Sequence, residues 1–173
     1  MGLKIGCGVA GCLGFGVVLM IVVGVVVFGG SKGSSASRPP GKSAPNTGSL
    51  RNQVRAQVGS WTLSATKPLT VNGSTDAIIA TYRNGGLQLA IGLASFSSES
   101  RAETHLGSVT RKSRTDSKGA PESKIRIRGP KNDIIGYGTS FAGNPEVFVY
   151  RTGRVVGLIH GPPGQVKPFF SAF

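Results

Sequence analysis

The chain has 173 residues, and its 20 Lys and Arg against 7 Asp and Glu give a formal net charge of +13. This length allows one folded domain with extensions, but not two full domains. Because charged residues make up only 16%, Cys number 2 and the 27 Gly follow no fixed period, the composition excludes a coiled coil, a disulfide-rich miniprotein and a collagen-like repeat. The excess of positive charge favours an anionic partner.

A long uncharged segment lies near the N-terminus. Every residue of Ile5–Phe28 is apolar or glycine, and a helix of this length, rising about 1.5 Å per residue, crosses a hydrocarbon core of roughly 30 Å. The sequence predicts a short tail at 1–4 and a transmembrane helix at 5–30. A cleaved signal peptide would need a small-residue exit site, and a lipidated Cys12 should follow the apolar run rather than precede most of it. We therefore expect a single-pass protein of the cell membrane, with the lipid bilayer as a partner.

Small residues recur every four positions in this predicted helix. Gly6, Ala10 and Gly14 would line one side, where helix backbones approach closely in lipid, so the pattern predicts weak self-association. The positive-inside rule favours a cytoplasmic C-terminus, because Lys32, Arg38 and Lys42 follow the predicted helix and only Lys4 precedes it. An uncleaved signal anchor is the opposite arrangement, and we expect this one, with the C-terminal domain outside the cytoplasm.

The segment 31–48 separates the predicted helix from a second apolar region. It is rich in Ser, Gly and Pro and has almost no apolar side chains, which predicts a disordered linker. Apolar residues return at Leu50, so 49–173 is predicted to be a soluble domain. Both cysteines precede it, and a domain of this size can fold without disulfides.

Alternation of apolar and polar residues predicts the strands of this domain. Leu87–Ala94 is the plainest case, since Leu and Ile occupy every second position and Asn84-Gly85-Gly86 before it is a hairpin signal. The predicted strands are Val58–Ser64, Ala77–Arg83, Leu87–Ala94, Ser123–Arg128, Ile134–Phe141, Glu146–Arg151 and Arg154–His160. We expect six or seven antiparallel strands.

One central amphipathic helix is predicted at about 98–112. Ser100 and Glu103 fit a capping box, and Ala102, Leu106 and Val109 follow at helical spacing. The fold class is therefore predicted to be α+β, with the helix on one face of the sheet. The apolar residues of the C-terminal tail are expected to dock on the core, in a short helix or an irregular segment.

Little in the sequence indicates catalysis. Gly6–Gly11 matches the dinucleotide pattern G-x-G-x-x-G, but it lies inside the apolar segment with no strand before it. His105 and His160 have no Cys, Asp or Glu at metal-ligand spacing. We expect no catalytic residue, no metal and no cofactor, although an enzyme whose site assembles only in three dimensions stays an alternative.

Charge is the most informative feature. Basic residues are concentrated between 111 and 131, and in the strand there Lys124, Arg126 and Arg128 alternate with two isoleucines. The predicted anionic-surface site consists of Arg111, Lys112, Arg114, Lys118, Lys124, Arg126, Arg128 and Lys131. Its expected partner is anionic lipid or an envelope polymer, and an ordinary solvated face is the other interpretation. Nucleic acid is less favoured, because few aromatic residues accompany the cations.

The expected function is that of a membrane-anchored, non-catalytic binding or scaffolding module of the cell envelope. The rival is a cytosolic-facing domain, tethered to the membrane, that binds anionic lipid or nucleic acid.

Overall fold

The computed structural model describes residues 49–173. The transmembrane helix predicted at 5–30, its packing face of Gly6, Ala10 and Gly14, and the linker predicted at 31–48 lie outside the described residues and stay predictions. Within 49–173, no helix combines the length and the apolar character needed to cross a bilayer.

The described chain forms one antiparallel sheet with a helix on each face. A short 3₁₀ helix at Leu50–Gln53 precedes the sheet. The strands are β1 (Gln57–Val58), β2 (Trp61–Pro68), β3 (Ser74–Asn84), β4 (Leu87–Phe96), β5 (Glu122–Arg128), β6 (Ile134–Phe141), β7 (Glu146–Thr152) and β8 (Val155–Gly161), and the helices are α1 (Glu99–Asp116) and α2 (Val166–Ala172). The strand order is β1-β2-β3-β4-β8-β7-β6-β5, so β1 and β5 are the two edges.

The predicted six or seven strands with one central helix are wrong, because the sheet has eight strands and the domain has two helices. The segment expected to be one strand at Val58–Ser64 is divided by Gly59, whose φ of +57° lets the chain turn back between β1 and β2. The C-terminal tail also forms a regular helix, α2, because Val166 and Phe169 are spaced to pack together on the core.

Side chains alternate between the two faces of β7 and so separate the two helices. Phe148 and Tyr150 point to the face where Phe170 of α2 lies, with ring centres 4.8 and 4.7 Å from it. Arg151 points to the opposite face and forms ion pairs with Glu99 and Glu103 of α1. The sheet is therefore a middle layer between α1 and α2.

The apolar core cluster lies between the sheet and α2. The ring of Phe169 meets Tyr82 and Trp61 edge-on, with centre distances of 4.9 and 6.2 Å. Leu50 of the 3₁₀ helix is buried in the same cluster, and its N–H donates a 2.8 Å hydrogen bond to the Asp76 carboxylate. Burial of these large side chains supplies the main driving force for folding.

Two glycines make room for aromatic rings within this layer. A Cβ on Gly138 would lie 2.6 Å from the ring of Phe148, and one on Gly157 would overlap the ring of Tyr150. The strands can pair closely beneath these rings only because both positions lack a side chain.

Helix α1 is capped earlier and ends later than the sequence predicted. Its N-cap is Ser98, whose hydroxyl accepts a 3.3 Å hydrogen bond from the Arg101 N–H, and Ser100 lies inside the first turn. The helix continues to Asp116, four residues beyond its predicted end. Ala102 is fully buried against the sheet, whereas Leu106 is only half-buried.

Candidate anionic-surface binding site

Strand β5 pairs with β6 alone and forms an open edge of the sheet. Lys124 lies opposite Thr139 and Arg126 opposite Tyr137, so the two cations point to the same face, the one that carries α1. Both side chains are exposed, and neither has an acidic partner within 4 Å among residues 49–173. We call Lys124, Arg126 and Arg128 the basic edge.

A shallow groove of about 400 Å³ runs between α1 and the basic edge. Leu106 of α1 and the ring of Tyr137 provide its apolar surface, and Lys124 and Arg126 provide its charge. The remaining lining residues are Ile125, Gly138 and Thr139. The groove joins an apolar surface to a positive rim and contains no carboxylate, so its chemistry suits binding of an anionic group.

Two cations of the predicted site are neutralised by neighbours. The ammonium of Lys112 lies 3.1 Å from the carboxylate of Asp116, one turn later in α1. Arg114 binds Glu122 through two hydrogen bonds of 2.8 Å, and this contact lowers the pKa of the Glu122 carboxyl. Lys112 and Arg114 therefore add little net charge to the surface around β5.

The β5–β6 hairpin ends in a braced loop. The Gly129 N–H donates to the Asp133 carbonyl over 2.8 Å, and the Asn132 N–H donates to the Gly129 carbonyl over 2.9 Å. The register of the two strands shifts between Ile127 and Arg128, and the Arg128 guanidinium donates a 2.9 Å hydrogen bond to the Asn132 carbonyl. Arg128 therefore braces the loop in addition to carrying a charge.

The other predicted site residues surround β5 along the chain. Arg111 is exposed near the end of α1, Lys118 in the turn before β5, and Lys131 in the loop after it. Lys118 takes a φ of +46° in that turn. The structure thus places the predicted cations on the last turns of α1, the edge strand and the two connections that flank it.

Sequence reasoning missed the apolar part of this surface. Ile134 and Ile135 are each 43% exposed and Tyr137 is 51% exposed, although the sequence pattern assigned them only to a strand. Tyr137 is directly opposite Arg126, and Ile134 is directly opposite Arg128. The signal available in the sequence was two consecutive isoleucines at a strand end, which cannot both face one core.

Arg151 fixes the start of α1 on the sheet and was also missed. Its guanidinium lies 2.8 Å from a Glu103 oxygen and 3.4 Å from a Glu99 oxygen, and its side chain is only 16% exposed. The Nε of Arg151 is buried and makes an ion-pair contact with Glu103 rather than an aligned hydrogen bond. This contact orients α1 so that Leu106 lies over the groove.

Both histidines are partly buried. The ring of His105 packs on the ring of Phe96, with centres 4.9 Å apart, and His105 is half-buried. Burial lowers the pKa of His105 and of His160. In residues 49–173, no three His, Cys, Asp or Glu side chains gather as a metal site would require.

Comparison with known proteins adds no functional assignment. No protein-family model and no curated protein matches the chain. A solved structure, described as a GTP binding regulator from Thermotoga maritima, is similar at 11% sequence identity with a TM-score of 0.44, over 67% of this chain and 76% of that one.

Proposed function

We propose that residues 49–173 form a non-catalytic binding module that attaches to an anionic surface through the basic edge. One observation carries the proposal. Lys124 and Arg126 project together from an edge strand, and neither has a carboxylate within 4 Å in the described chain, whereas Lys112 and Arg114 nearby are paired with acids. Cations held in place on a strand attract an anionic surface without first losing an internal partner.

The predicted N-terminal membrane helix supports one setting for this module. If the helix anchors an exported domain, the anionic surface is that of the anchoring membrane or of an envelope polymer. The module then acts as a scaffold that holds the domain against the cell envelope.

Vesicle binding tests the proposal. The fragment 49–173 contains every described element, and circular dichroism with a cooperative melt establishes that it is folded before it is used. It should bind anionic vesicles and should not bind neutral ones. Its binding to anionic vesicles should weaken as the salt concentration rises. Since each cation near an anionic surface contributes about 1 kcal/mol, Lys124→Gln with Arg126→Gln should weaken binding about 30-fold.

A matched variant separates a local site from general positive charge. Lys67 and Arg83 are exposed on the same face of the sheet, but on β2 and β3 near the other edge. Lys67→Gln with Arg83→Gln removes the same charge and should leave binding within about twofold of native, because the charges lie more than a Debye length of about 10 Å from the basic edge. Equal losses in both double variants would contradict the proposal. Tighter binding to nucleic acid than to anionic vesicles would favour the cytosolic alternative.

A further inference from the structure

We infer that the tip of the β5–β6 hairpin inserts into an anionic lipid bilayer, with Ile134 and Ile135 entering its apolar layer. This inference rests on the proposed function and names lipid, rather than a hydrophilic polymer, as the anionic surface. We define the hairpin tip as the loop 129–133 with Ile134, Ile135 and Tyr137.

The first argument is the position of the exposed apolar side chains. Within 49–173, four large apolar residues are prominently exposed, and three of them, Ile134, Ile135 and Tyr137, lie in the first half of β6. The fourth, Leu87, starts β4 at a different hairpin. Single exposed apolar residues are common on proteins, whereas three within four residues of one strand end concentrate apolar surface at one place and indicate an interaction surface.

The second argument is the pairing of this apolar surface with positive charge. Arg126 lies opposite Tyr137 and Arg128 opposite Ile134, and Lys131 is exposed in the loop between the strands. The tip has one acid, Asp133, which these cations outnumber. A bilayer interface accommodates both features at once, since aliphatic side chains enter the acyl region, tyrosine lies at the headgroups and cations meet anionic lipid.

The third argument is that the tip is already ordered. Two backbone hydrogen bonds close the loop, and the Arg128 guanidinium braces it at the Asn132 carbonyl. A braced loop presents its isoleucines without losing conformational freedom on binding. Polar polymers offer no apolar layer for these side chains, so charge alone leaves the exposed isoleucines without a role.

A tryptophan placed at the tip reports insertion directly. The native Trp61 is 4% exposed in the core, so we expect its emission to stay constant and Ile135→Trp to add a local probe. Leu87→Trp is the matched control, because Leu87 and Ile135 are both 43% exposed. With the full chain reconstituted in bilayers, the emission of Ile135→Trp should shift to shorter wavelength and be quenched by bromine-labelled acyl chains in anionic bilayers but not in neutral ones. Leu87→Trp should do neither.

Energy transfer separates this inference from the proposed function. Transfer from Trp61 of the native chain to dansyl headgroups measures approach of the domain to the bilayer, and Lys124→Gln with Arg126→Gln should reduce it. Transfer to anionic bilayers without quenching of Ile135→Trp would overturn insertion and leave charge-driven binding standing. Absence of transfer would overturn both proposals, and equal quenching in neutral bilayers would overturn the dependence on anionic lipid.

Removal of the isoleucines is the complementary test. Ile134→Ser with Ile135→Ser should lower the domain's partition onto anionic bilayers by about tenfold or more while its unfolding midpoint stays near native, because both side chains are exposed in the free protein. Unchanged partition of a folded double variant would overturn the inference.

Discussion

The guanidinium of Arg114, in the last turn of α1, donates two hydrogen bonds of 2.8 Å to the carboxylate of Glu122, the first residue of β5. This contact joins the end of the helix to the edge strand across the turn that separates them. It also removes one cation from the surface around the basic edge. Glu122 therefore limits the positive charge that this surface presents.

Replacement of Glu122 should strengthen binding to an anionic surface. Glu122→Gln removes a negative charge and releases the Arg114 guanidinium, so we expect anionic vesicles to bind about fivefold more tightly, from about 1 kcal/mol per added cation. Vesicle titration at low salt measures the change. Arg114→Gln with Glu122→Gln restores the native net charge and should bind like the native chain; a gain in this double variant as well would contradict the charge argument.

Loss of Arg151 should loosen the start of α1. Arg151→Met keeps an unbranched stem of similar reach but leaves Glu99 and Glu103 without their cation, and we expect the free energy of unfolding to fall by about 1–2 kcal/mol. Urea denaturation measures it. Lys112→Met, which breaks a pair exposed at both ends, is the control and should cost at most about 0.5 kcal/mol. Similar costs for the two variants would show that Arg151 does not hold the helix.

A methyl group at Gly157 should disturb the layer beneath α2. The added Cβ of Gly157→Ala would overlap the ring of Tyr150, a ring with no free space around it, since it is 4% exposed. We expect a loss of about 1–3 kcal/mol from overpacking. Gly86→Ala is the control, because nothing lies within 4 Å of its Cβ position, and its thermal midpoint should stay near native. If Gly157→Ala leaves the free energy of unfolding unchanged, β7 and β8 separate easily to admit the methyl group.

Stability should fall when the two histidines are protonated. Burial lowers the pKa of both from the ordinary 6.5, so the unfolded chain binds more protons than the folded one just below that pH. Stability is therefore full above about pH 6.5 and declines as pH falls towards the lowered pKa values. Urea midpoints measured from about pH 8 to 5 should show this decline, and His105→Gln with His160→Gln should flatten it. If the urea midpoint of the double variant falls with pH as steeply as that of the native protein, other groups cause the decline.

The sequence indicates the strands better than it indicates their boundaries. The period-two pattern of Leu87–Ala94 locates the core of β4 because every second residue there faces the α2 side of the sheet. The same pattern around Trp61 does not reveal that Gly59 turns the chain, since a positive φ is a property of the backbone and not of hydrophobic alternation. The sequence predicted a cap at Ser100, whereas the hydrogen bond from the Arg101 N–H to the Ser98 hydroxyl places the cap two residues earlier.

For a related reason, the sequence predicts only part of the candidate site. Alternation in β5 predicts that Lys124 and Arg126 lie on one face, and the strand register in the structure places them there. The sequence does not show which cations are neutralised, because Arg114 meets Glu122 through a turn and Arg151 meets Glu99 of α1, 52 residues away in the sequence. Exposure of Ile134 and Ile135 likewise depends on β5 being the last strand, which strand order determines and local pattern does not.

The position of β5 at the end of the sheet has a consequence for the protein at high concentration. An open edge strand offers unpaired backbone groups to a second sheet, and edge-to-edge joining is a common route to aggregation. Two copies meeting along β5 would bring Lys124, Arg126 and Arg128 of both chains side by side, where like charges repel. The cations that we propose draw the domain to an anionic surface would therefore also keep its copies apart, and salt, by screening them, should weaken attachment and solubility together.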